Sequence, residues 1–315
     1  MLGYFAKDVI FLIQFQRFHP NMKKKYEDLL FPFPTRGCEY SFANLVMWGR
    51  QEVAFRDGCA LLFSHFYGQS VYPYPIGSGD HRAALDAILH DAKARGIPCR
   101  LSGLTNDDKS ELESLFPDKF FIQPYRDGFD YVYDIHDLAD LKGRKFQKKR
   151  NHANRFRAEH PDYQVVPLNV CNLPLAQHMV NDWFLERHKA DPQGDYLLEN
   201  IALVRAFQNY TALGMEGILL MDGGKVLAVT MGSRMSPDTF DIHFEKAREE
   251  VDGAYTVVNQ EFARYLRLKY PEVLYLDRED DMGLEGLRKA KLSYQPHHLT
   301  EKYRATLAED LHGTL

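Results

Sequence analysis

One pattern, built around a turn of aspartate and glycine, occurs twice in the chain and limits the fold more than any other feature. Asp57-Gly58 separates two short apolar runs, and Asp222-Gly223 separates two more. Asp-Gly closes tight β-hairpins because both residues tolerate positive φ. In both places a strand, a glycine-bearing loop, a helix, a strand and a second helix follow. This order predicts an α/β protein with mixed sheets, made of two halves related by duplication.

The chain length supports a division into domains. At 315 residues the chain exceeds what one hydrophobic core usually serves. We therefore expect an N-terminal domain at 1–138, a connecting helix at 139–160 and a C-terminal domain at 161–315. Chance similarity in the order of helices and strands is the alternative to duplication.

Apolar periodicity and turn residues predict the individual elements. Strands are expected at 9–13, 52–56, 59–66, 71–76, 98–104, 120–123, 129–135, 163–168, 217–221, 225–234, 239–246, 273–277 and 297–305. Helices are expected at 22–31, 42–48, 81–95, 106–116, 173–189, 197–213, 254–270 and 284–292. The first-half segment 71–76 has two prolines and no acid or histidine, so we expect the first domain to be structural or to bind an acceptor.

Composition excludes several classes of protein. The formal net charge of −5 gives no global reason to bind nucleic acid or acidic membranes. The apolar run at 9–13 is far shorter than the roughly 20 residues of a membrane-spanning helix. The four cysteines are widely separated and form no CxxC pair, which argues against a disulfide framework or a zinc site: Cys38, Cys59, Cys99 and Cys171. We expect a cytoplasmic protein.

The most unusual composition lies at the predicted junction. Segment 142–157 carries eight cations and no acid, and such a local patch can bind a polyanion that the rest of the chain repels. Phe146, Ala153 and Phe156 form a narrow apolar stripe, which predicts a helix with one buried face. The cations expected to bind donor phosphates are Lys145, Lys148, Lys149 and Arg150. A merely solvated helix is the alternative.

The strand predicted at 239–246 alternates between apolar and ionisable residues. The ionisable ones are Asp241, His243 and Glu245, and strict alternation puts all three on one face. A central strand is usually apolar on both faces. We therefore expect a wet cleft in which Glu245 or His243 acts as a general base. An exposed sheet face is the alternative.

A loop with one glycine follows at 248–254. Gly253 opens the long predicted helix, where free backbone N–H groups and the helix dipole favour a phosphate. Lys246 and Arg248 are nearby cations, so these three residues are candidates for donor binding. One glycine is a weak signal and three carboxylates of the loop oppose an anion, so an ordinary helix cap is the favoured alternative.

Carboxylates are dense after the strand predicted at 273–277, and cations follow on the next helix. We assign Asp277 to the catalytic candidates. The candidates for acceptor contact or for lining the cleft are Asp241, Glu279, Arg288 and Lys291. Dense acids can bind a divalent metal, but no histidine stands at ligand spacing among them. We therefore expect no metal, and predict hydrogen bonds to an amine or an internal ion-pair network.

Five stretches carry a family resemblance: WGRQEVAF, KGRKFQKKRNHANRF, FDIHFEKA, AYTVVNQEFA and DREDDMGLEGLRKAKLSYQP. They resemble a bacterial family that matches the C-terminal domain of phosphatidylglycerol lysyltransferase, and the resemblance covers nearly the whole chain. It implies two tandem domains of the GNAT-type N-acetyltransferase fold, a plan shared with Fem-type aminoacyltransferases.

The resemblance also implies a reaction. An acyl or aminoacyl group would pass from acyl-coenzyme A or charged tRNA to an amine or hydroxyl, with no covalently bound cofactor. The donor would enter where the strands at 239–246 and 273–277 splay. Glu245 would relay a proton from the nucleophile, Tyr294 would protonate the leaving group, and backbone N–H groups would stabilise the oxyanion.

Two departures from the family pattern bear on the substrates. The membrane-spanning part of true lysyltransferases is absent from this sequence, so a small molecule, a peptide or a lipid headgroup are all open as the acceptor. Residues 248–253 lack the glycine-rich motif that ordinary acetyltransferases use for coenzyme A, which favours charged tRNA as the donor.

Two other functions compete with transfer. The basic helix alone would suit a non-catalytic module that holds RNA or another polyanion. The weaker competitor is a metal-dependent hydrolase, which lacks a water-activating histidine cluster and would use Asp277, Glu279, Asp280 and Asp281.

Overall fold

The computed structural model describes residues 12–66, 68–192 and 196–313, which form two compact units with one mixed sheet each. The first unit holds the segments up to Phe18, Arg50–Tyr125 and from Lys302 onward, and the second holds His19–Gly49 and Arg126–Glu301. Both units are discontinuous in sequence, whereas the sequence analysis expected continuous domains at 1–138 and 161–315. Of the strand expected at 9–13, residues 9–11 lie outside the described residues.

The described strands and helices follow the predicted order closely. The strands are β1 (Gln16–Arg17), β2 (Gln51–Arg56), β3 (Cys59–Phe66), β4 (Gln69–Pro73), β5 (Ile76–Gly77), β6 (Arg100–Leu104), β7 (Phe120–Pro124), β8 (Asp130–Asp134), β9 (Gln164–Pro167), β10 (Glu216–Asp222), β11 (Lys225–Arg234), β12 (Thr239–Ala247), β13 (Tyr275–Asp277), β14 (His298–Thr300) and β15 (Tyr303–Leu307). The helices are α1 (Lys23–Leu30), α2 (Phe42–Trp48), α3 (His81–Arg95), α4 (Asn106–Leu115), α5 (Ile135–Asp140), α6 (Gln147–Glu159), α7 (Leu173–Ala190), α8 (Leu197–Gln208), α9 (Ala254–Lys269) and α10 (Glu285–Leu292). No described helix is both long and apolar enough to cross a lipid bilayer.

Local chemistry explains where these elements begin and end. Asp80 caps α3 by accepting from the backbone N–H of Ala83 at 3.0 Å, and Gly96 closes the helix at a φ of 67°, a backbone conformation that glycine adopts easily. Asp57 and Gly58 both have positive φ, as the tight hairpin between β2 and β3 requires. These end signals are the reason that the sequence predicts α3 to the residue.

The two sheets have the same strand plan. The first runs β1-β2-β3-β4-β6-β15-β7, and the second runs β9-β10-β11-β12-β13-β8-β14. In each, a four-stranded antiparallel ribbon, β1 to β4 in the first and β9 to β12 in the second, joins the rest of the sheet through one parallel pair, β4–β6 or β12–β13. The mixed α/β fold with two mixed sheets is therefore confirmed, and the shared plan supports duplication.

One inner strand of each sheet comes from the other half of the sequence. β15 lies between β6 and β7 in the first sheet, and β8 lies between β13 and β14 in the second. The segment expected as one strand at 297–305 is instead two strands, β14 and β15, in different sheets. β15 belongs to the first unit and the segment His19–Gly49 belongs to the second, so both units are discontinuous in sequence.

The core of the second unit lies between its sheet and α9. Phe240 and Ile242 of β12 are buried against apolar residues of α9 such as Val257 and Phe262. The opposite face of β11 and β12 is covered by α7. Helix α6 packs on α9 through Ala153 and the aromatic residues beside it, so the sheet positions every element that surrounds the candidate site.

Candidate functional site

A gap opens in the second sheet between β12 and β13. The two strands pair in parallel over only three positions, which end at Asp241 and Asp277, whereas β12 continues to Ala247. Because β12 has no partner on this side beyond Asp241, side chains fill the space that a strand would otherwise occupy. Gaps of this kind expose backbone groups and accept ligands at the carboxyl end of parallel strands.

Glu245 and Arg278 bridge this gap. Arg278 Nη2 donates to Glu245 Oε1 at 2.9 Å, and the two side chains are 14% and 12% exposed. Asn259 of α9 donates to the other carboxylate oxygen at 3.2 Å. Burial opposes the charge of Arg278, but Glu245, Tyr133 and Tyr294 together outweigh it and raise the pKa of the guanidinium. The contact with Arg278 therefore fixes the orientation of the Glu245 side chain.

Tyr294 and Lys149 complete what we name the strand-gap cluster, with Glu245, Arg278 and Asn259. The Lys149 ammonium lies 3.6 Å from the centre of the Tyr294 ring, and Arg278 stacks 4.8 Å from the same ring. Burial raises the pKa of Tyr294, so its hydroxyl keeps its proton. The cluster therefore joins a carboxylate that can accept a proton to a phenol that can donate one.

Two polar atoms of this cluster lack hydrogen-bond partners among the described residues. They are Nη1 of Arg278, a donor, and Oδ1 of Asn259, an acceptor, and both are buried. Native proteins satisfy nearly all buried polar groups, so such atoms mark places where a ligand or water is expected. Beside Glu245 and Tyr294, the gap thus offers a ligand one hydrogen-bond donor, Arg278 Nη1, and one acceptor, Asn259 Oδ1.

The lowered pKa of Lys149 gives a test of this placement. Burial, and to a smaller extent Arg278, lower that pKa from 10.5 to about 8. Below pH 8 Lys149 is protonated in both the folded and the unfolded chain. The cost of burying its charge is then fully present and lowers the free energy of unfolding. Between pH 8 and 10.5 only the folded chain loses the proton, and the cost disappears as pH rises.

We therefore expect Lys149→Met to raise the free energy of unfolding at pH 7 by about 1–2 kcal/mol, after allowance for partial exposure. The gain should shrink between pH 8 and pH 10. Urea titrations across this range measure the difference, and Lys148→Met, at the exposed neighbour on the same helix, is the matched control. A gain independent of pH would contradict the assignment.

A β-bulge interrupts β12 at His243. Phe244 pairs with Met231 and Ile242 pairs with Gly232, so His243 is an extra residue without its own partner on β11. A bulge shifts the alternation of side chains by one residue. Residues on either side of His243 therefore no longer follow the simple two-residue period.

The bulge separates the three ionisable residues of β12. Glu245 bonds to α9, whereas His243 Nε2 lies 2.8 Å from Ser233 Oγ on the opposite face. Asp241 is fully buried and His243 is only 9% exposed. The expectation that Asp241, His243 and Glu245 share one wet face is therefore wrong, because strict alternation does not survive the extra residue.

Asp241, His243 and Glu279 form a second group, which we name the His243 cluster. His243 Nδ1 lies 3.3 Å from both Asp241 Oδ2 and Glu279 Oε1. Burial and the charges of nearby carboxylates, Glu279 foremost, raise the pKa of Asp241 well above its usual range. Burial also favours a higher pKa for Glu279. Hydrogen bonds from His243 and Asn44 and the nearby charges of His243 and Lys291 together outweigh burial, so the pKa of Glu279 is lowered.

The loop after β13 is held by internal contacts. Lys291 donates to the backbone carbonyls of Arg278, Glu279 and Asp280. Asp277, fully buried, accepts from the N–H of Glu279 at 2.7 Å. These contacts hold the backbone that carries Arg278 and Glu279. Lys291 and Asp277 thus position the loop.

Further along the loop, Asp281 is the centre of an ion-pair network. Arg288 binds both of its carboxylate oxygens at 2.8 and 2.9 Å, and Tyr131 donates to it at 2.5 Å. These contacts hold the pKa of Asp281 far below its usual range. The acidic loop therefore contains the internal ion-pair network that the sequence predicts. Arg288, a candidate for acceptor contact, is part of this network.

The basic segment forms a short 3-10 turn, Arg144–Phe146, followed by α6. Its predicted apolar stripe, Phe146, Ala153 and Phe156, is buried. Several of its cations have internal partners: Lys145 pairs with Asp137 and Arg150 donates to the carbonyls of residues 141 and 143. Lys148 and Arg144 are exposed and form no ion pair with a described residue. The cationic surface that a phosphate could contact is therefore smaller than the whole basic segment.

The three donor-binding candidates after β12 have structural roles. Lys246 pairs with Glu199 at 2.7 Å and lies 3.8 Å from the centre of the Trp183 ring. Arg248 pairs with Asp182 at 2.9 Å. The N-terminus of α9 at Gly253 is covered by α6, because a Cβ there would lie 2.6 Å from the carbonyl oxygen of His152. The ordinary helix cap is therefore the better interpretation of this loop.

Sequence reasoning missed Arg278, Asn259, Ser233 and Asn44 as site residues. Arg278 directly follows the end of β13, and a polar residue at the carboxyl end of a parallel strand is the signal that could have indicated it. The other three are ordinary polar residues within helices or strands, and only the fold brings them beside ionisable groups.

Comparison with known proteins assigns the chain to a family. The profile of the family described as "Phosphatidylglycerol lysyltransferase, C-terminal" matches residues 31–306. An uncharacterized protein of Mycoplasmoides gallisepticum is 26% identical over 178 residues, which cover 55% of this chain and 54% of that protein. The chain thus spans about half the length of this curated relative.

Solved structures share the fold. A conserved protein of unknown function from Bacteroides thetaiotaomicron is 35% identical, with 94% of this chain and 100% of that chain covered and a TM-score of 0.88. L-PGS from Bacillus licheniformis is 14% identical, with 90% and 91% covered and a TM-score of 0.64. FemX is 11% identical, with 96% and 99% covered and a TM-score of 0.59. The last two likenesses establish the fold alone, two units with one mixed sheet each.

Proposed function

The chain belongs to the family described as phosphatidylglycerol lysyltransferase, C-terminal, and from this premise we propose that it is an acyl- or aminoacyltransferase. Its second unit would transfer the group from a charged tRNA or an acyl-coenzyme A thioester to an amine or hydroxyl acceptor. The reaction would occur at the strand-gap cluster. The related fold of FemX and L-PGS supports the class of reaction by analogy only.

One observation carries the proposal. The gap beside β12 holds Glu245 and Tyr294 together with two buried polar atoms that lack partners among the described residues, Arg278 Nη1 and Asn259 Oδ1. An acyl transfer needs a base for the nucleophile, an acid for the leaving group and a donor for the developing oxyanion. The cluster offers all three.

The step balances with these residues. The acceptor nitrogen or oxygen forms a bond to the acyl carbon, and the bond from that carbon to the tRNA oxygen or coenzyme A sulfur breaks. Glu245 takes the proton that the nucleophile loses, and Tyr294 supplies the proton that the leaving atom gains. Arg278 Nη1 is placed to donate to the carbonyl oxygen as negative charge develops there.

Among the donors, we favour charged tRNA. Lys148 and Arg144 are exposed cations near Lys149, which itself lies at the gap. A phosphate backbone that follows this surface would place an attached aminoacyl group toward Tyr294. Lys246, Arg248 and Gly253, the other residues considered for donor phosphates, are engaged elsewhere in the fold.

Salt dependence tests the role of the basic surface. Removing two phosphate contacts by Lys148→Ala with Arg144→Ala should weaken tRNA binding and reduce the slope of log K against log salt by about 1.5. Filter binding of bulk tRNA between about 50 and 200 mM salt measures it. The double variant Lys24→Ala with Lys189→Ala removes two exposed cations elsewhere and should leave the slope unchanged. Equal slopes in all three proteins would contradict a tRNA contact at 144 and 148.

A donor screen tests the reaction itself. The purified chain is incubated with bulk bacterial tRNA charged with each amino acid in turn, and with a series of acyl-coenzyme A thioesters, together with lipid and small-molecule extracts as acceptors. We expect loss of the acyl group from one donor class and a labelled acceptor product. Unchanged donors in every combination, with salt-dependent tRNA binding intact, would favour the alternative of a non-catalytic polyanion-binding module.

A further inference from the structure

The His243 cluster joins three groups of the types that bind metals. Asp241 and His243 come from β12, and Glu279 comes from the loop after β13; one atom of each lies within 4.8 Å of the others. Asp241 and His243 are two residues apart on β12 and lie on the same face, and the bulge at His243 places Glu245 on the other face. Glu279 adopts a φ of 59°, which an ordinary side chain seldom adopts and which persists where the surroundings impose it.

The distances fit ligands that share one small ion. His243 Nδ1 lies 3.3 Å from Asp241 Oδ2 and 3.3 Å from Glu279 Oε1. Neighbouring ligands of an ion bound at about 2.0–2.2 Å lie about 3.0–3.5 Å apart in octahedral or tetrahedral geometry. The two carboxylate oxygens lie within 4.8 Å of each other.

The second ring nitrogen of His243 is already held. Nε2 lies 2.8 Å from Ser233 Oγ, which is buried. A histidine that binds a metal almost always donates its other ring N–H to such an outer partner, and this fixes the tautomer with a lone pair on the ligating nitrogen. Without an ion, Nδ1–H donates to Glu279; with an ion bound, the proton would lie on Nε2 toward Ser233 and the lone pair of Nδ1 would face the ion between the two carboxylates.

Two more observations point to a cation. Asp241 is fully buried, and its Oδ1 has no hydrogen-bond partner among the described residues. Asn44, which is 7% exposed, directs its amide into the cluster, where Nδ2 lies 2.9 Å from Glu279 Oε1, and its own Oδ1 also lacks a partner there. Asn44 Nδ2 also donates to Asp241 Oδ2 at 3.3 Å and to the Cys38 carbonyl at 3.1 Å, so the amide contacts both carboxylates of the cluster.

We propose that Asp241, His243 and Glu279 bind one divalent transition-metal ion, of the Zn²⁺ or Mn²⁺ class, with Ser233 as the outer partner of His243. One imidazole with two carboxylates suits these ions better than Ca²⁺ or Mg²⁺, which take all-oxygen sites. The ion would tie the loop after β13 to β12 and so hold Arg278, the neighbour of Glu279, at the gap. The proposal does not depend on the transferase reaction.

The test uses the whole chain. After treatment with EDTA and dialysis, the protein is equilibrated with Zn²⁺, Mn²⁺ or Mg²⁺ alone, and bound metal is measured by mass spectrometry. We expect about one equivalent of Zn²⁺ or Mn²⁺, none of Mg²⁺, and a higher melting temperature with the bound ion. Replacement by Co²⁺ should give visible absorption bands. A wild-type chain that binds no ion would overturn the proposal and leave a hydrogen-bonded group of Ser233, His243 and the carboxylates.

Variants locate the ion. His243→Gln and Glu279→Gln should each weaken binding at least about 100-fold, and Ser233→Ala about 10- to 100-fold, as expected for an outer partner. If His243→Gln does not fold, the other two variants decide the question in the same way.

Two controls address other histidines. His297 and His298 have Nδ1 atoms only 3.0 Å apart at the surface, and His81 pairs with the single carboxylate of Glu111 at 2.8 Å. The variants His297→Gln with His298→Gln, and His81→Gln, should keep one equivalent of metal. Binding lost in either control and kept in Glu279→Gln would overturn the assignment.

Discussion

Glu245→Gln is expected to lower turnover of the donor at least about 100-fold, because general bases contribute roughly 10²–10⁴ to such reactions. The amide keeps the shape of the side chain and one acceptor oxygen for Arg278, while its NH2 replaces the oxygen that accepts from Asn259, and it accepts no proton from a nucleophile. Donor affinity should change little, since Glu245 acts on the acceptor. Single-turnover assays with the donor found by the screen measure the rate, and filter binding measures the affinity.

The matched control is Glu249→Gln. Glu249 lies four residues further along, pairs with Arg187 at 3.0 Å and is about half exposed, so the same chemical change occurs outside the gap. It should leave turnover near the wild-type value. Equal rates for wild type and Glu245→Gln would remove Glu245 from the mechanism. A parallel loss of rate and of donor binding would instead assign it to donor recognition.

Gly253→Ala is expected to lower the free energy of unfolding by about 3 kcal/mol. Gly253 has a φ of 81°, where an alanine costs about 1–2 kcal/mol. In addition, its Cβ would lie 2.6 Å from the backbone oxygen of His152 and 3.0 Å from Cβ of Phe156. Relieving such contacts by shifting packed helices costs about 1–3 kcal/mol. Urea unfolding measures the loss.

Gly224→Ala separates the two causes. Gly224 has a φ of 78°, but no heavy atom lies within 4 Å of a Cβ built there, so only the backbone cost of about 1–2 kcal/mol applies. The difference between the two variants reports the packing of α6 on α9. Equal losses would mean that α6 does not restrict Gly253, and would reopen the N-terminus of α9 to an anion.

Local signals account for what the sequence predicts correctly. Asp80 and Gly96 bound α3, and the Asp-Gly turn defines the first hairpin, because capping and positive φ depend on neighbouring residues alone. The buried stripe of the basic helix follows from helical periodicity for the same reason. Glu245 was proposed as a base from the pattern of its strand and Tyr294 as an acid from the family resemblance. The fold brings both to the strand-gap cluster, and their catalytic roles remain proposals.

What could not be predicted depends on pairing between distant segments. The bulge at His243 arises from the register of β12 against β11, which the sequence of β12 alone does not contain. The same bulge moves His243 away from Glu245 and toward Glu279, so the histidine that seemed absent from the acidic loop comes from another strand. Asn44 joins the group although almost two hundred positions separate it from Asp241.

The exchange of β8 and β15 between the sheets restricts how the chain is made. β15 occupies an inner position between β6 and β7, so the first sheet stays incomplete until the ribosome has synthesised the second unit. During translation, β6 and β7 present unpaired edges, which are the kind that aggregate. The sheet that begins folding first is therefore the last to close, and a ribosome that stalls late in the message releases a chain with an open sheet.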